Sequence, residues 1–365
     1  MPAQEMEILL STNLWKPLDA GALHLPHRLI MAPMTRARSL PNGVPTEMNA
    51  EYYAQRASMA LIITEGTQPS DDGQGYPLTP GVYRDDHIAG WRRVTDAVHD
   101  NGGLIVIQLM HVGRISHPSN TPHGRQPVAP SRVRPSGKMF TQSGMLEMPE
   151  PRELSAKEIS VIVDEHRRAA AAAMAAGADG VEVHAANGYL AHQFLSSNAN
   201  LRNDDYGGSV QRRIRFAIEL VDAVSEEIGR DRTGIVISPD NSLNDIVEDD
   251  LEVLYGVFTR ALSSLRLAYL HLNYKGDGDL IEFIRLHWPG VLFLNRGNAD
   301  LETRVLDVET GLADAITVGA HALANPDLVE RLRSGAPLNE ADRSTFYGGD
   351  ERGYLDYPTL QSARR

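Results

Sequence analysis

The chain has 365 residues, of which 42% are hydrophobic and 23% are charged, close to the average of globular domains. Its formal net charge of −13 argues against a nucleic-acid-binding surface, because such a surface needs clustered basic residues. The chain has no cysteine, which excludes disulfides, thiolate metal sites and cysteine nucleophiles.

The N-terminal stretch MPAQEMEILLSTNLWKP lacks the basic and apolar segments of a signal peptide. No apolar run in the chain approaches the roughly 20 residues that span a bilayer. We therefore expect a cytoplasmic protein with no membrane partner, no nucleic-acid partner and no metal site.

Eight short apolar runs of strand length recur along the chain. They occupy residues 28–34, 60–66, 104–110, 180–186, 234–240, 268–274, 290–296 and 315–321. Each run is continuously apolar rather than alternating, which is typical of strands buried on both faces of a parallel sheet.

Helical patterns separate these runs. The clearest covers residues 155–180, where Ser155 and Glu158 form a predicted capping box and Gly177 is suited to the position just after the helix. The other predicted helical segments are 85–103, 209–229, 248–265, 300–312 and 325–335. Eight strands alternating with helices predict an α/β protein with a (β/α)₈ TIM barrel. An open doubly wound sheet is the alternative.

Two segments do not follow the strand–helix repeat. Residues 111–154 form a long proline-rich excursion after the third strand, and loops of this length are usually functional, as lids or binding loops. Residues 336–365 form a polar tail that we expect to be ordered but irregular. We expect the chain, residues 1–365, to form a single barrel domain.

The fourth predicted strand ends on polar residues that a core strand does not need. In VEVHAANGYLAHQF, His184, Asn187 and Tyr189 follow the apolar run, at the carboxyl end where barrel active sites form. Such a group suits a site that holds an oxygen atom and supplies a proton. Cap or turn residues are the alternative interpretation.

Other strand ends are informative to different degrees. Gln108 ends the third strand, and its amide needs a partner, either a planar ligand with amide-like edges or a neighbouring backbone. Gly297 and Gly319 follow the seventh and eighth strands, where barrels commonly bind phosphate, although glycines are common in turns as well.

Several motifs make the chain similar to the Old Yellow Enzyme family of flavin mononucleotide (FMN)-dependent ene reductases. The motifs run from PHRLIMAPMTRARS through HAANGYLAHQFLSSNANLRNDDYGGSVQRRIRF to FYGGDERGYLDYP and cover nearly the whole chain. The resemblance implies a TIM barrel that reduces the C=C bond of a small electron-poor alkene. FMN would carry the hydride, and NAD(P)H would reduce the FMN.

The resemblance also implies residue roles. His184 and Asn187 would hydrogen-bond the carbonyl or nitro oxygen of the alkene, and Tyr189 would protonate its α-carbon. Thr35, Tyr76 and Met110 would contact substrate, with Thr35 also lying near flavin O4. The residues implied for the cofactor are Pro33, Met34, Thr35, Gly66, Gln108, Arg296, Gly297, Asn298 and Gly319.

Three departures from the family pattern lie on the cofactor side. Val236 and Ala320 stand where the family has arginines for the flavin N1/O2 edge and the phosphate, and Arg296 stands where it has a small residue. Losing two charge-assisted hydrogen bonds would weaken flavin binding by roughly 10²–10⁴. Arg296 would either replace the missing phosphate ligand or fill the phosphate site. Met110, where many members have tryptophan, would soften the substrate pocket.

Three hypotheses follow. The first is an ene reductase with weakened flavin binding. The second is a flavin-free or flavin-poor catalyst that uses His184, Asn187 and Tyr189 for proton transfer on an enone, as an isomerase, cyclase or lyase. The third is a non-catalytic binding protein, which leaves the acid group unexplained.

Overall fold

Eight parallel strands form a closed barrel in the computed structural model, which describes residues 12–276 and 278–362. The strands are β1 (Leu29–Met31), β2 (Ile62–Ile63), β3 (Ile105–Leu109), β4 (Gly180–Ala185), β5 (Thr233–Ile237), β6 (Tyr269–Tyr274), β7 (Leu292–Arg296) and β8 (Ala315–Val318). Each strand pairs with the next along the chain, and β8 pairs with β1. The predicted (β/α)₈ barrel is confirmed. The strands are shorter than the predicted runs, because the last residues of most runs leave the ladder and form the carboxyl end of the barrel.

The helices surround the barrel. They are α1 (Glu47–Ala54), α2 (Asp85–Asp100), α3 (Ala156–Ala175), α4 (Leu190–Leu195), α5 (Val210–Arg213), α6 (Arg215–Ile228), α7 (Leu251–Ser263), α8 (Gly278–His287), α9 (Leu301–Glu309), α10 (Ala320–Ala324) and α11 (Leu328–Ser334). The Ser155–Glu158 capping box is present, and Gly177 adopts the expected left-handed conformation with φ of +91°. Among the residues that the structure describes, no helix is long and apolar enough to cross a membrane. Helices α1, α4, α8 and α10 were not predicted.

A hairpin that was not predicted packs against the amino-terminal end of the barrel. Its strands are Leu18–Ala20 and Leu23–Leu25. Its apolar side chains cluster with residues inside the barrel, including Ile30, Tyr269 and Phe293. The barrel is therefore packed at its base, and its functional end is the carboxyl end.

The excursion at 111–154 contains more regular structure than predicted. An antiparallel hairpin forms from Lys138–Thr141 and Gly144–Glu147, and Val128–Ala129 pairs with Arg152–Glu153. The guanidinium of Arg114, a buried residue, donates to the backbone oxygen of Asp245 at 2.7 Å. This bond ties the excursion to the loop that follows β5.

The C-terminal tail is held by an arginine that follows β1. The buried Arg36 donates to the backbone oxygens of Phe346 at 2.9 Å and Gly353 at 2.8 Å. Its guanidinium also lies about equally far from the ring centres of Tyr52 and Tyr354, at 5.1 and 5.0 Å. These contacts hold the tail beside the carboxyl end of the barrel.

Candidate active site

A cavity of about 1000 Å³ opens at the carboxyl end of the barrel. Its walls come from the segments after β1, β2, β4 and β8, from the hairpin of the excursion and from the C-terminal tail. Predicted site residues among its lining are Pro33, Met34, Thr35, Tyr76, Tyr189 and Gly319. The hairpin contributes Phe140, and the tail contributes Phe346 and Tyr347. A cavity of this size suits a cofactor together with a small substrate.

Tyr189 places a neutral phenol in this cavity. Its hydroxyl lies 3.2 Å from the hydroxyl of Tyr76, which reaches the cavity from the segment after β2. Burial raises the pKa of Tyr189 well above its usual range, and the nearby Tyr76 raises it further. The phenol therefore keeps its proton near neutral pH, as a general acid must.

His184 lies at the end of β4 beside Tyr189. The two rings are 5.1 Å apart, edge to face. Burial, together with the nearby His192 and His271, lowers the pKa of His184 to about 3. The imidazole is therefore neutral, and its Nδ1 accepts the backbone N–H of Ala186 at 3.3 Å. The ring proton consequently lies on Nε2, which is available as a hydrogen-bond donor.

Asn187 is fixed by hydrogen bonds from two neighbouring segments. Its φ of +53° lies in the left-handed region, which asparagine tolerates better than most residues. Its backbone N–H donates to Ser238 Oγ at 2.7 Å, and its backbone oxygen accepts from Asn244 Nδ2 at 2.7 Å. Its Oδ1 accepts from Asn241 at 2.9 Å and from Asn273 at 3.2 Å. The side-chain Nδ2 is therefore the group that faces outward as a donor.

The side-chain amide of Gln108 is bonded to a carboxylate, a kind of partner that was not predicted. Its Nε2 donates to Oε1 of Glu182 at 2.7 Å, so the partner is a buried carboxylate rather than a backbone group. The other oxygen of Glu182 bonds His271 Nδ1 at 3.0 Å, and His271 Nε2 bonds Thr317 Oγ1 at 3.0 Å. This buried chain of polar side chains crosses the barrel interior below the cavity.

Val236 lies in the barrel at the position where the resemblance implies an arginine. It is 2% exposed, and its partners in the strand register are His184 on β4 and His271 on β6. An aliphatic side chain supplies neither charge nor hydrogen bond here.

Two basic side chains lie near the loop after β7, Arg296 at the end of β7 and Lys275 just after β6. Arg296 donates through Nη1 to Oδ1 of Asp307 at 2.8 Å. Gly297 and Asn298 are exposed, and a Cβ atom on Gly297 would lie 3.1 Å from Cγ of Lys275, so the exposed Lys275 passes directly over this loop. Lys275 was not predicted as a site residue, because only the fold brings it close to Gly297.

Gly66 and Met110 lie against each other. A Cβ atom on Gly66 would be 2.6 Å from the Met110 sulfur, and Met110 is 5% exposed. The lining of the cavity does not include several predicted site residues, namely Gly66, Gln108, Met110, His184, Asn187, Arg296, Gly297 and Asn298. His184 is next to the cavity through its ring contact with Tyr189, and Asn187 is bonded to Asn244 of the loop after β5.

The residues at the cavity fit FMN in most respects. The cavity is large enough, Gly319 leaves room beside Met34 (a Cβ there would lie 3.3 Å from its sulfur), and Lys275 and Arg296 place positive charge near the loop where a phosphate would bind. Val236 would offer no cation to a flavin ring. The arrangement would suit a flavin with its ring held by neutral groups and its phosphate near the two basic side chains.

The fold and the site thus define a TIM-barrel enzyme with a protonated phenol in its cavity, a neutral imidazole against that phenol, and the amide of Asn187 two residues before it in the chain. Residues 13–339 match the model of the NADH:flavin oxidoreductase / NADH oxidase family, and the chain belongs to that family. The Old Yellow Enzyme resemblance is confirmed.

Two relatives and one solved structure illustrate the similarity. A probable flavin mononucleotide-dependent alkene reductase of Leishmania infantum is 44% identical, with 94% of this chain and 97% of the relative covered. The 12-oxophytodienoate reductase 1 of Oryza sativa subsp. japonica is 41% identical, with 94% and 92% covered. The structure of morphinone reductase in complex with tetrahydroNAD is 44% identical with a TM-score of 0.92, and 97% of this chain and 99% of that one are covered.

Proposed function

We propose that this enzyme reduces the activated C=C bond of a small electron-poor alkene, with FMN as its redox cofactor and NAD(P)H as the reductant. The observation that carries the proposal is the group of His184, Asn187 and Tyr189, in which two neutral donors and a protonated phenol meet beside one cavity. Family membership and the alkene reductases among the relatives support the same reaction.

The roles of the residues follow from their protonation states. His184 Nε2–H and Asn187 Nδ2–H donate to the carbonyl or nitro oxygen of the substrate. They stabilise the negative charge that develops on that oxygen, as in an oxyanion hole. Tyr189 gives its proton to the α-carbon, and its hydroxyl is oriented by Tyr76 at 3.2 Å. Thr35, Tyr76 and Met110 are proposed to shape the substrate pocket.

FMN, when bound, supplies the hydride that this chemistry needs at the β-carbon. The residues proposed to hold its ring are Pro33, Met34, Thr35, Gly66 and Gln108. Its phosphate would lie near Arg296, Gly297, Asn298 and Gly319, with Lys275 in addition.

A proton-transfer catalyst with little or no flavin is the second candidate, and the buried Val236 favours it. The absorption spectrum of the purified protein, combined with enone turnover, separates the two. A yellow protein that oxidises NAD(P)H when cyclohex-2-enone is added supports the reductase. A colourless protein that gains no thermal stability with added FMN refutes it.

We also propose a single barrel domain for residues 1–365, in which the 111–154 excursion covers the cavity and the 336–365 segment packs beside it. Phe140 of the excursion and Phe346 of the tail both line the cavity, which supports these roles. A cytoplasmic location stays a prediction.

A further inference from the structure

Three asparagines from successive strand ends meet at one oxygen atom. Asn187 follows β4, Asn241 follows β5 and Asn273 lies on β6. The side-chain amides of Asn241 and Asn273 both donate to Oδ1 of Asn187, at 2.9 and 3.2 Å. A carbonyl oxygen has two lone pairs, so this oxygen is fully used by its two donors.

The two bonds determine which end of the Asn187 amide faces the substrate. If the amide turned over, its NH₂ group would meet two NH₂ donors, and both hydrogen bonds would be lost. With the oxygen held, Nδ2 makes no hydrogen bond to any residue that the structure describes and is free to donate. Hydrogen bonds accepted by an amide oxygen also polarise the amide, which strengthens its N–H groups as donors.

We propose that Asn241 and Asn273 form an asparagine clamp that orients and polarises Asn187 as the hydrogen-bond donor to the substrate oxygen. Both are positioning residues, because they act through Asn187. The proposal rests on the proposed function, in which Asn187 stabilises the oxyanion.

The position of the clamp explains why asparagine suits it. Asn273 is two residues beyond His271 on the same strand, so the two side chains point to the same face. His271 is in register with Val236, so the clamp lies one layer above the position that lacks the arginine. The clamp strengthens the oxyanion site with neutral dipoles, one layer above the position where the family arginine is missing.

The competing explanation is that the clamp residues only stabilise the loop after β5, and Asn241 does contribute to that loop. The Oδ1 atom of Asn241 accepts the backbone N–H of Leu243 at 3.1 Å, which stabilises the turn after β5. The substitution Asn241→Asp keeps this acceptor while removing the donor to Asn187. The substitution Asn273→Leu removes the second donor and keeps the branching and the number of non-hydrogen atoms of the side chain.

A double-mutant cycle with Asn187→Ala tests the proposal. The measurement is kcat/KM for cyclohex-2-enone with FMN-saturated enzyme, and melting temperatures verify that each variant is folded. We expect Asn241→Asp and Asn273→Leu each to lower kcat/KM by about 3- to 10-fold, and together by about 10- to 100-fold, since each removes one hydrogen bond. In the Asn187→Ala background the same changes should alter kcat/KM by less than about twofold.

The outcomes separate the clamp from the proposed function. Equal losses in both backgrounds would show a structural role and overturn the clamp. Unchanged kcat/KM in Asn241→Asp and Asn273→Leu variants that keep Asn187 would also overturn the clamp. If Asn187→Ala itself leaves enone reduction unchanged, the oxyanion role of Asn187 is refuted, and the clamp with it. A further readout is acid rescue: Asn273→Asp should regain activity as the pH falls, because a protonated carboxyl can again donate to Asn187.

Discussion

Replacing Asp307 with asparagine tests whether Arg296 serves the phosphate end of FMN. The two side chains form an ion pair at 2.8 Å, and they are only 19% and 6% exposed. The carboxylate of Asp307 competes with a phosphate for this guanidinium, because it already neutralises part of its positive charge. Asparagine has nearly the same size and keeps an acceptor oxygen, but it removes the charge that competes with the phosphate.

The expected gain follows from the change in this one interaction. A hydrogen bond to a charged acceptor contributes about 1.5–3 kcal/mol, and a neutral one about 0.5–1.5 kcal/mol. The difference of about 1–2 kcal/mol becomes available to the phosphate when Asp307 is neutralised. FMN should therefore bind roughly 5- to 30-fold more tightly to Asp307→Asn than to the native protein.

Parallel titrations with FMN and riboflavin measure this effect through quenching of flavin fluorescence. Riboflavin has the same ring system but no phosphate, so its affinity should stay unchanged. Asp300→Asn is the matched control, because Asp300 caps the same helix through Thr303 without contacting Arg296. An FMN affinity that is unchanged or weaker in Asp307→Asn, or an equal gain for riboflavin, would refute the reasoning.

Three further predictions concern other parts of the site and the core. Tyr189→Phe should lower kcat for enone reduction by about 10²–10⁴ with little change in KM, because the acid is lost but the hydrogen-bond donors to the substrate oxygen remain. An unchanged kcat contradicts the acid role. Val236→Arg combined with Ala320→Arg should raise the FMN content of the purified protein, measured by absorbance, and no rise would mean that the missing arginines do not limit binding. Burial lowers the pKa of His166 from 6.5 to about 4, so the unfolded chain binds a proton that the folded chain does not, and stability falls as the pH drops through this range. His166→Phe should flatten that dependence by up to about 1.4 kcal/mol per pH unit in denaturant titrations, and an unchanged slope would argue against a buried neutral imidazole.

The barrel was predictable because parallel strands buried on both faces leave continuous apolar runs in the sequence. Helices with a full apolar face, such as Ala156–Ala175, were equally readable. Leu190–Leu195 is buried at every residue, so it has no exposed face and shows no amphipathic pattern, and Ala320–Ala324 is barely more than one turn long. The pattern that reveals a helix needs more turns than these segments have.

The candidate site was readable only where its residues are close in sequence. His184, Asn187 and Tyr189 lie at or just after the end of one strand, and their spacing in the sequence predicts the site. Asn241 and Asn273 are 54 and 86 residues from Asn187, and only the barrel brings them together. The buried polar contact of Glu182 could have been predicted, because a carboxylate inside the apolar run GVEVHAA must have partners. Gln108 is one of them.

The charges around the cavity suggest which half of the reaction depends on the departures from the family. Three arginines on the segments after β1 and around β7 are engaged with the protein itself: Arg36 with tail carbonyls, Arg304 with the backbone oxygen of Thr317 and Arg296 with Asp307. The proton-transfer side, by contrast, relies on neutral groups, of which Asn187 is fixed by four hydrogen bonds and Tyr189 is oriented by the hydroxyl of Tyr76. Changes on the cofactor side should therefore alter how much flavin the protein retains, and changes around Asn187 should alter turnover per bound flavin. Measuring both quantities for every variant separates weak cofactor binding from weak chemistry, which a rate per protein molecule alone would confound.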